Sequence, residues 1–146
     1  MSFGKRVVFD TSTLVGAVLL PRSVPRRALN AAREWYELCG SEATLAELET
    51  VLRRAKFDRY LDRPTREAYC ELMRRCTRLF AVPAASEKNL PRPCRDPRDN
   101  KFLALALVCK AGVIVSSDGD LTSLTPYEGI DVISATDFLA RATCGR

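Results

Sequence analysis

Two short runs of apolar, mostly β-branched residues constrain this chain most: Val7-Val8-Phe9 and Val113-Ile114-Val115. Neither is long enough for a helix. Their continuous apolar character is that of strands covered on both faces, which is how strands read in a parallel sheet. Residues 35–39, 79–82 and 130–133 are further strand candidates. Strands of three to five residues alternating with helical patterns predict an α/β domain with a central parallel sheet of four to five short strands. The chain has 146 residues and no internal repeat, so a single domain over 1–146 is expected.

The helical segments are marked by caps and periodicity. Ser23-Val24-Pro25 gives a capping hydroxyl and a first-turn proline ahead of a helix over 26–33. Ser41 can cap a helix over 42–54 whose apolar stripe is Thr44, Leu45, Leu48, Val51 and Leu52. A short helical piece over 57–61 follows. Pro64 opens a helix over 64–78 with Ala68, Leu72 and Cys76 on one face. Residues 83–97 carry four prolines and no period, which is loop composition. A buried helix over 97–111 is expected to stop at Gly112, and a turn at 121–124 and a Ser134-capped helix complete the chain.

What the composition lacks narrows the chemistry. There is no histidine, so Ser-His-Asp and Cys-His nucleophile systems and His-containing zinc sites are excluded. Any catalysis must run on carboxylates, hydroxyls, thiols, lysine or arginine. The charge of +5 favours a polyanionic partner such as nucleic acid. Six cysteines with no C-x-x-C pair, set mostly in apolar runs, read as reduced buried thiols and point to a cytoplasmic protein. The longest apolar run, 102–109, falls far short of the ~20 residues of a membrane span, and Asp10 interrupts the one imitation of a signal peptide.

In an open parallel sheet, ligands bind outside the carboxyl ends of the strands. Asp10 and Asp118 follow the first and fourth strands. Asp96 and Asp99 head the buried helix, and Glu42 and Glu47 lie in the first turns of the Ser41-capped helix. Four separated segments can thus converge on one acidic pocket. Carboxylates without histidine or thiol select hard divalent ions, Mg²⁺ or Mn²⁺. Each acid also has a plainer reading. Asp96 or Asp99 could simply cap, Asp120 reads as a cap, and Glu47 and Glu49 lie about 100° either side of Leu48. Periodicity does not choose between those two glutamates. An ionised Asp10 directly after a buried strand, by contrast, must find a cation or hydrogen-bond donors.

Four blocks, Val7 to Val15, Ser41 to Leu48 with Val51-Leu52, Asp96 to Leu103, and Val113 to Leu121, resemble the PIN domain in order and interval. The branch they look like is the toxin component of bacterial toxin-antitoxin pairs, related to VapC-type ribonucleases. The resemblance covers Val7 to about Leu139. It implies a three-layer α/β/α fold and a metal-dependent endoribonuclease with one or two Mg²⁺ or Mn²⁺ ions. Carried over by motif, the acids are Asp10, Glu47, Asp99 and Asp118. Asp10, Asp99 and Asp118 are the implied metal ligands, and Glu47 ligates or orients the water. Ser12 and Ser116 fall where the family places small polar residues, and Asp96 is a reserve for a metal or outer role. Arg98 departs from the pattern, since a further acid is common there. An RNA substrate, a cognate antitoxin protein and a homodimer are also implied; the helix face around Tyr69, Leu72 and Met73 could supply the dimer surface.

Backbone grip is expected from Arg92, Arg95, Arg98 and Lys101 beside the third acid, and from Arg53, Arg54, Lys56 and Arg59 after the second. Two other enzyme classes share a strand-end aspartate. A haloacid-dehalogenase-type phosphatase wants a second aspartate where this chain has Ser12, and a receiver domain wants an acidic pair and a late lysine that are not evident. A PIN-like module that binds RNA or protein without cleaving is the remaining alternative. Retention of all four acids argues against it.

Overall fold

The computed structural model describes residues 5–144. Five strands, β1 (Arg6–Phe9), β2 (Glu37–Gly40), β3 (Arg78–Leu79), β4 (Val113–Val115) and β5 (Asp131–Ile133), form one sheet in the order β3-β2-β1-β4-β5. Every pairing is parallel, with Val7 opposite Val113 and Phe9 opposite Val115 at the centre. Side chains alternate across the pleat. Val7, Phe9, Val113 and Val115 enter one core, while Val8, Ile114 and Val132 enter the other. Helices cover both faces, so the architecture is the expected three-layer α/β/α. Among the described residues no helix is long and apolar enough to cross a membrane.

The helices are α1 (Thr11–Leu19), α2 (Val24–Trp35), α3 (Glu42–Leu52), α4 (Arg63–Cys76), α5 (Ala84–Lys88), α6 (Asn100–Cys109), α7 (Gly119–Thr122) and α8 (Ala135–Cys144). Helix α1 has no counterpart in the sequence reading. Thr11, Thr13, Val15 and Val18 are β-branched and lower helix propensity. Capping and burial override that preference: Asp10 Oδ1 accepts from Thr13 N at 3.0 Å, and seven of the nine residues are buried.

Helix α4 corrects a second expectation. Its buried face is Arg66, Cys70 and Met73, while Leu72 is exposed, so the Ala68-Leu72-Cys76 face is turned outward. Helical spacing fits both stripes, and burial of the Arg66 guanidinium selects the former. Met73 therefore lies in the core and offers nothing to an association surface. Elsewhere the proline-rich stretch holds the short helix α5, and a 3₁₀ turn over Pro97–Asp99 precedes α6. Lys110, at φ 56°, takes the left-handed closing position of α6 in place of Gly112, whose N–H joins the sheet through the Arg6 carbonyl at 2.9 Å. The N-cap of α7 is Asp118, and Asp120 sits in its first turn. Helix α3 stands as expected, with Thr44, Leu45, Leu48 and Leu52 buried.

Candidate active site

The carboxyl ends of β1 and β4 lie side by side and deliver Asp10 and Asp118 to one place. Asp10 is only 4% exposed. Its Oδ2 accepts from Ser116 Oγ at 2.5 Å, and its Oδ1 accepts from Thr13 N at 3.0 Å and, weakly, from Ser12 Oγ at 3.4 Å. Burial pushes the Asp10 carboxyl above its usual range, the bonds from Ser116 and Thr13 pull it back, and the charge of Asp118 pushes it up again. Ser116 also accepts from Asp118 N at 2.9 Å, so one hydroxyl ties the two strand-end acids together. Asp118 Oδ1 in turn accepts from Asp120 N at 2.9 Å. Ser12 is exposed and lies 3.2 Å from Ser117 Oγ.

Asp99 enters from the head of α6. Burial, then a hydrogen bond shared with the Asp118 carboxyl, then the charges of Asp118, Asp96 and Asp10 push its carboxyl up to about 7; with both acids ionised, its buried Oδ2 has no hydrogen-bond donor. Glu47 enters from α3. Its buried Oε1 lies 2.9 Å from Lys101 Nζ as an ion pair that lacks the alignment of a hydrogen bond. Glu49 points the other way, toward Arg74 at 3.6 Å. Asp10, Glu47, Asp96, Asp99 and Asp118 therefore line one cavity of about 380 Å³, and the four candidate acids from four segments do converge. Asp96 lines it too, but its oxygens are held by Arg98 Nε at 3.2 Å and Nη2 at 2.9 Å, which keeps its carboxyl below the usual range.

The cations sort more narrowly than the sequence suggested. Arg54, Lys56 and Arg98 line the cavity. Arg92 instead donates to the carbonyls of Leu124 and Pro126 and stacks on Tyr127, stapling a loop. Arg53 pairs with Glu67 at 3.9 Å, and Arg59 bonds the Tyr60 hydroxyl. Sequence reasoning missed two participants. Thr11, whose buried Oγ1 has no partner, lines the cavity from α1, and Arg66 holds the segment bearing Arg54 and Lys56. A charge set on the stripe of Cys70 and Met73 was the available signal for Arg66.

One parallel sheet between two helical layers thus gathers four carboxylates beyond the carboxyl ends of its strands, with cations beside them and no histidine. The chain belongs to the PIN domain family, which matches residues 6–120. PIN domains are commonly nucleases that use divalent metal ions. An uncharacterized protein of Methanocaldococcus jannaschii is 29% identical over 121 residues, covering 82% of this chain and 74% of the relative. The crystal structure of PAE2754 from Pyrobaculum aerophilum superimposes with a TM-score of 0.56 at 15% identity, covering 97% of this chain and 91% of that one, a likeness of fold.

The donors present suit such an ion. Among the described residues no group of three or more acidic or cysteine side chains is placed, as it stands, to hold a metal ion. The set is nevertheless all oxygen, as Mg²⁺ and Mn²⁺ prefer. The partnerless buried Oδ2 of Asp99 is the atom a cation would satisfy.

Proposed function

We propose that this protein is a metal-dependent endoribonuclease that hydrolyses RNA phosphodiester bonds with Mg²⁺ or Mn²⁺. The observation that supports it most is the convergence of Asp10, Asp99 and Asp118 on one cavity, with Asp99 Oδ2 buried and unpartnered. Asp10, Asp99 and Asp118 would hold the ion. When bound, the ion supplies Lewis-acid stabilisation of the charge that develops at phosphorus and on the departing oxygen.

The chain's own groups do the rest. Ser116 fixes the Asp10 carboxylate, and the N–H of Asp120 fixes that of Asp118, so both ligands are oriented before substrate arrives. Glu47, on the α3 side of the cavity, orients the attacking water. Arg54 and Lys56 meet the phosphates of the strand. With water as the nucleophile the products carry a 5′-phosphate and a 3′-OH. No histidine pair is present to drive the 2′-OH onto phosphorus.

The test is cleavage of a labelled single-stranded RNA with and without Mg²⁺ or Mn²⁺. Cleavage is expected to need the ion, to stop with chelator, and to leave 3′-OH ends. Undiminished cutting in excess EDTA, or 2′,3′-cyclic phosphate ends, would overturn the reading. Within this activity we assign the role of toxin in a toxin-antitoxin pair, acting in the cytoplasm as a homodimer and silenced by a cognate antitoxin protein, on the resemblance of the four sequence blocks. Growth arrest on expression, lost in Asp10→Asn, tests that role.

A further inference from the structure

The connection from α3 to α4 carries Arg54, Lys56 and Phe57, which form the wall of the acidic cavity nearest its free cations. Arg98, the other lining cation, is engaged by Asp96, whereas among the described residues neither Arg54 nor Lys56 pairs with a carboxylate. Lys56 rests over the Phe57 ring at 5.2 Å. These two are the charges left available for a polyanion.

Beneath this wall lies Arg66, 1% exposed. Its Nε donates to the Leu61 carbonyl at 2.9 Å, its Nη1 to the carbonyls of Leu52 and, at 3.0 Å, Arg54, and its Nη2 to the Asp58 carboxylate. The chain thus uses four donors of one planar guanidinium on both ends of a single connection. Leu52 ends α3, where carbonyls lack helical partners. A lysine, with three donors on one point charge, cannot span these acceptors.

We propose that Arg66 is a positioning residue for the substrate: it clamps the α3-α4 connection from below and so holds Arg54 and Lys56 at the acidic cavity, where they take the phosphates flanking the scissile bond. The role rests on the nuclease reading. It requires that Arg66 act through the two cations rather than on the acids. Loss of the clamp therefore weakens hold on the strand and leaves the carboxylates as they are.

The experiment compares wild type, Arg66→Lys, Arg54→Met/Lys56→Met and the triple variant on a labelled single-stranded RNA in Mn²⁺, with Mn²⁺ binding measured by calorimetry. Arg66→Lys should raise KM about tenfold or more, as a small displacement of binding groups can, with the loss falling on KM rather than kcat and Mn²⁺ affinity retained. The Arg54/Lys56 pair should do the same, and adding Arg66→Lys to it should raise KM no further.

An unchanged KM in Arg66→Lys, a loss confined to kcat, or additive effects in the triple variant would overturn the proposal. If Arg66→Lys does not fold, Asp58→Ala, which removes the clamp's one side-chain acceptor outright, decides: a raised KM supports the clamp and an unchanged one overturns it. Wild-type protein that neither binds Mn²⁺ nor cuts RNA would instead sink the nuclease reading itself. Wild-type cutting with an insensitive Arg66 removes only this inference.

Discussion

The Ser116 hydroxyl joins Asp10 to Asp118, donating to Asp10 Oδ2 at 2.5 Å while accepting from Asp118 N at 2.9 Å. Both contacts are at the end of the central strands, and Ser116 is fully buried. A hydrogen bond to a buried carboxylate is charge-assisted, so it both stabilises the fold and fixes a ligand's direction. Ser116→Ala should cost about 1–3 kcal/mol in a urea melt, because it strands a buried carboxylate oxygen and a half-buried N–H, and should weaken Mn²⁺ binding. Unchanged values in both measurements would show that Ser116 organises nothing.

Asp10 and Asp118 should respond to neutralisation in a way that separates function from folding. Asn still caps a helix, so Asp10→Asn keeps the α1 cap while removing a buried charge. We expect no cleavage from Asp10→Asn or Asp118→Asn, together with thermal stability equal to or above wild type in metal-free buffer. Wild-type rates from both would mean that the acids at the strand ends take no part.

Asp99 sets the expected pH dependence. Its carboxyl is raised from the ordinary aspartate value to about 7 by burial and then by its acidic neighbours. Between the unfolded value and about 7 the folded protein holds a proton that the unfolded chain has lost. Stability of the metal-free protein is therefore full below the unfolded pKa and falls as pH rises through about 7. The same proton competes with a cation, so Mn²⁺ affinity should rise over that interval. Melting curves and Mn²⁺ titrations from pH 5 to 8 check both slopes, and Asp99→Asn should flatten the first.

Much of this arrangement is legible in the residue order. Val7-Val8-Phe9-Asp10 and Val113-Ile114-Val115 declare buried strands by composition, and in a parallel sheet that alone puts Asp10 and Asp118 on the ligand-binding edge. Helix α1 is illegible because its β-branched residues contradict its state, and only the Asp10 cap and the surrounding core decide it. The buried face of α4 is hidden for a different reason. A periodicity rule counts Arg66 as polar and outward, whereas three main-chain carbonyls and Asp58 make the interior its best-solvated position.

The two glutamates of α3 give the sharpest residue-level test, because helical spacing treats them alike and the fold does not. Glu47 lines the acidic cavity with a buried oxygen, while Glu49 faces Arg74 on α4. Glu47→Gln removes a charge from the cavity and should lower the single-turnover rate by ~100-fold or more at saturating Mg²⁺. Glu49→Gln breaks a partly exposed ion pair and should cost at most about 0.5 kcal/mol of stability with little change in rate. Lys101→Met adds a control: it frees Glu47 of its ammonium partner, 2.9 Å away, and should tighten Mn²⁺ binding by removing a competing cation. If Glu49→Gln proves the damaged enzyme and Glu47→Gln does not, the acid that serves the reaction lies on the α4 side of α3 and the cavity has been misjudged.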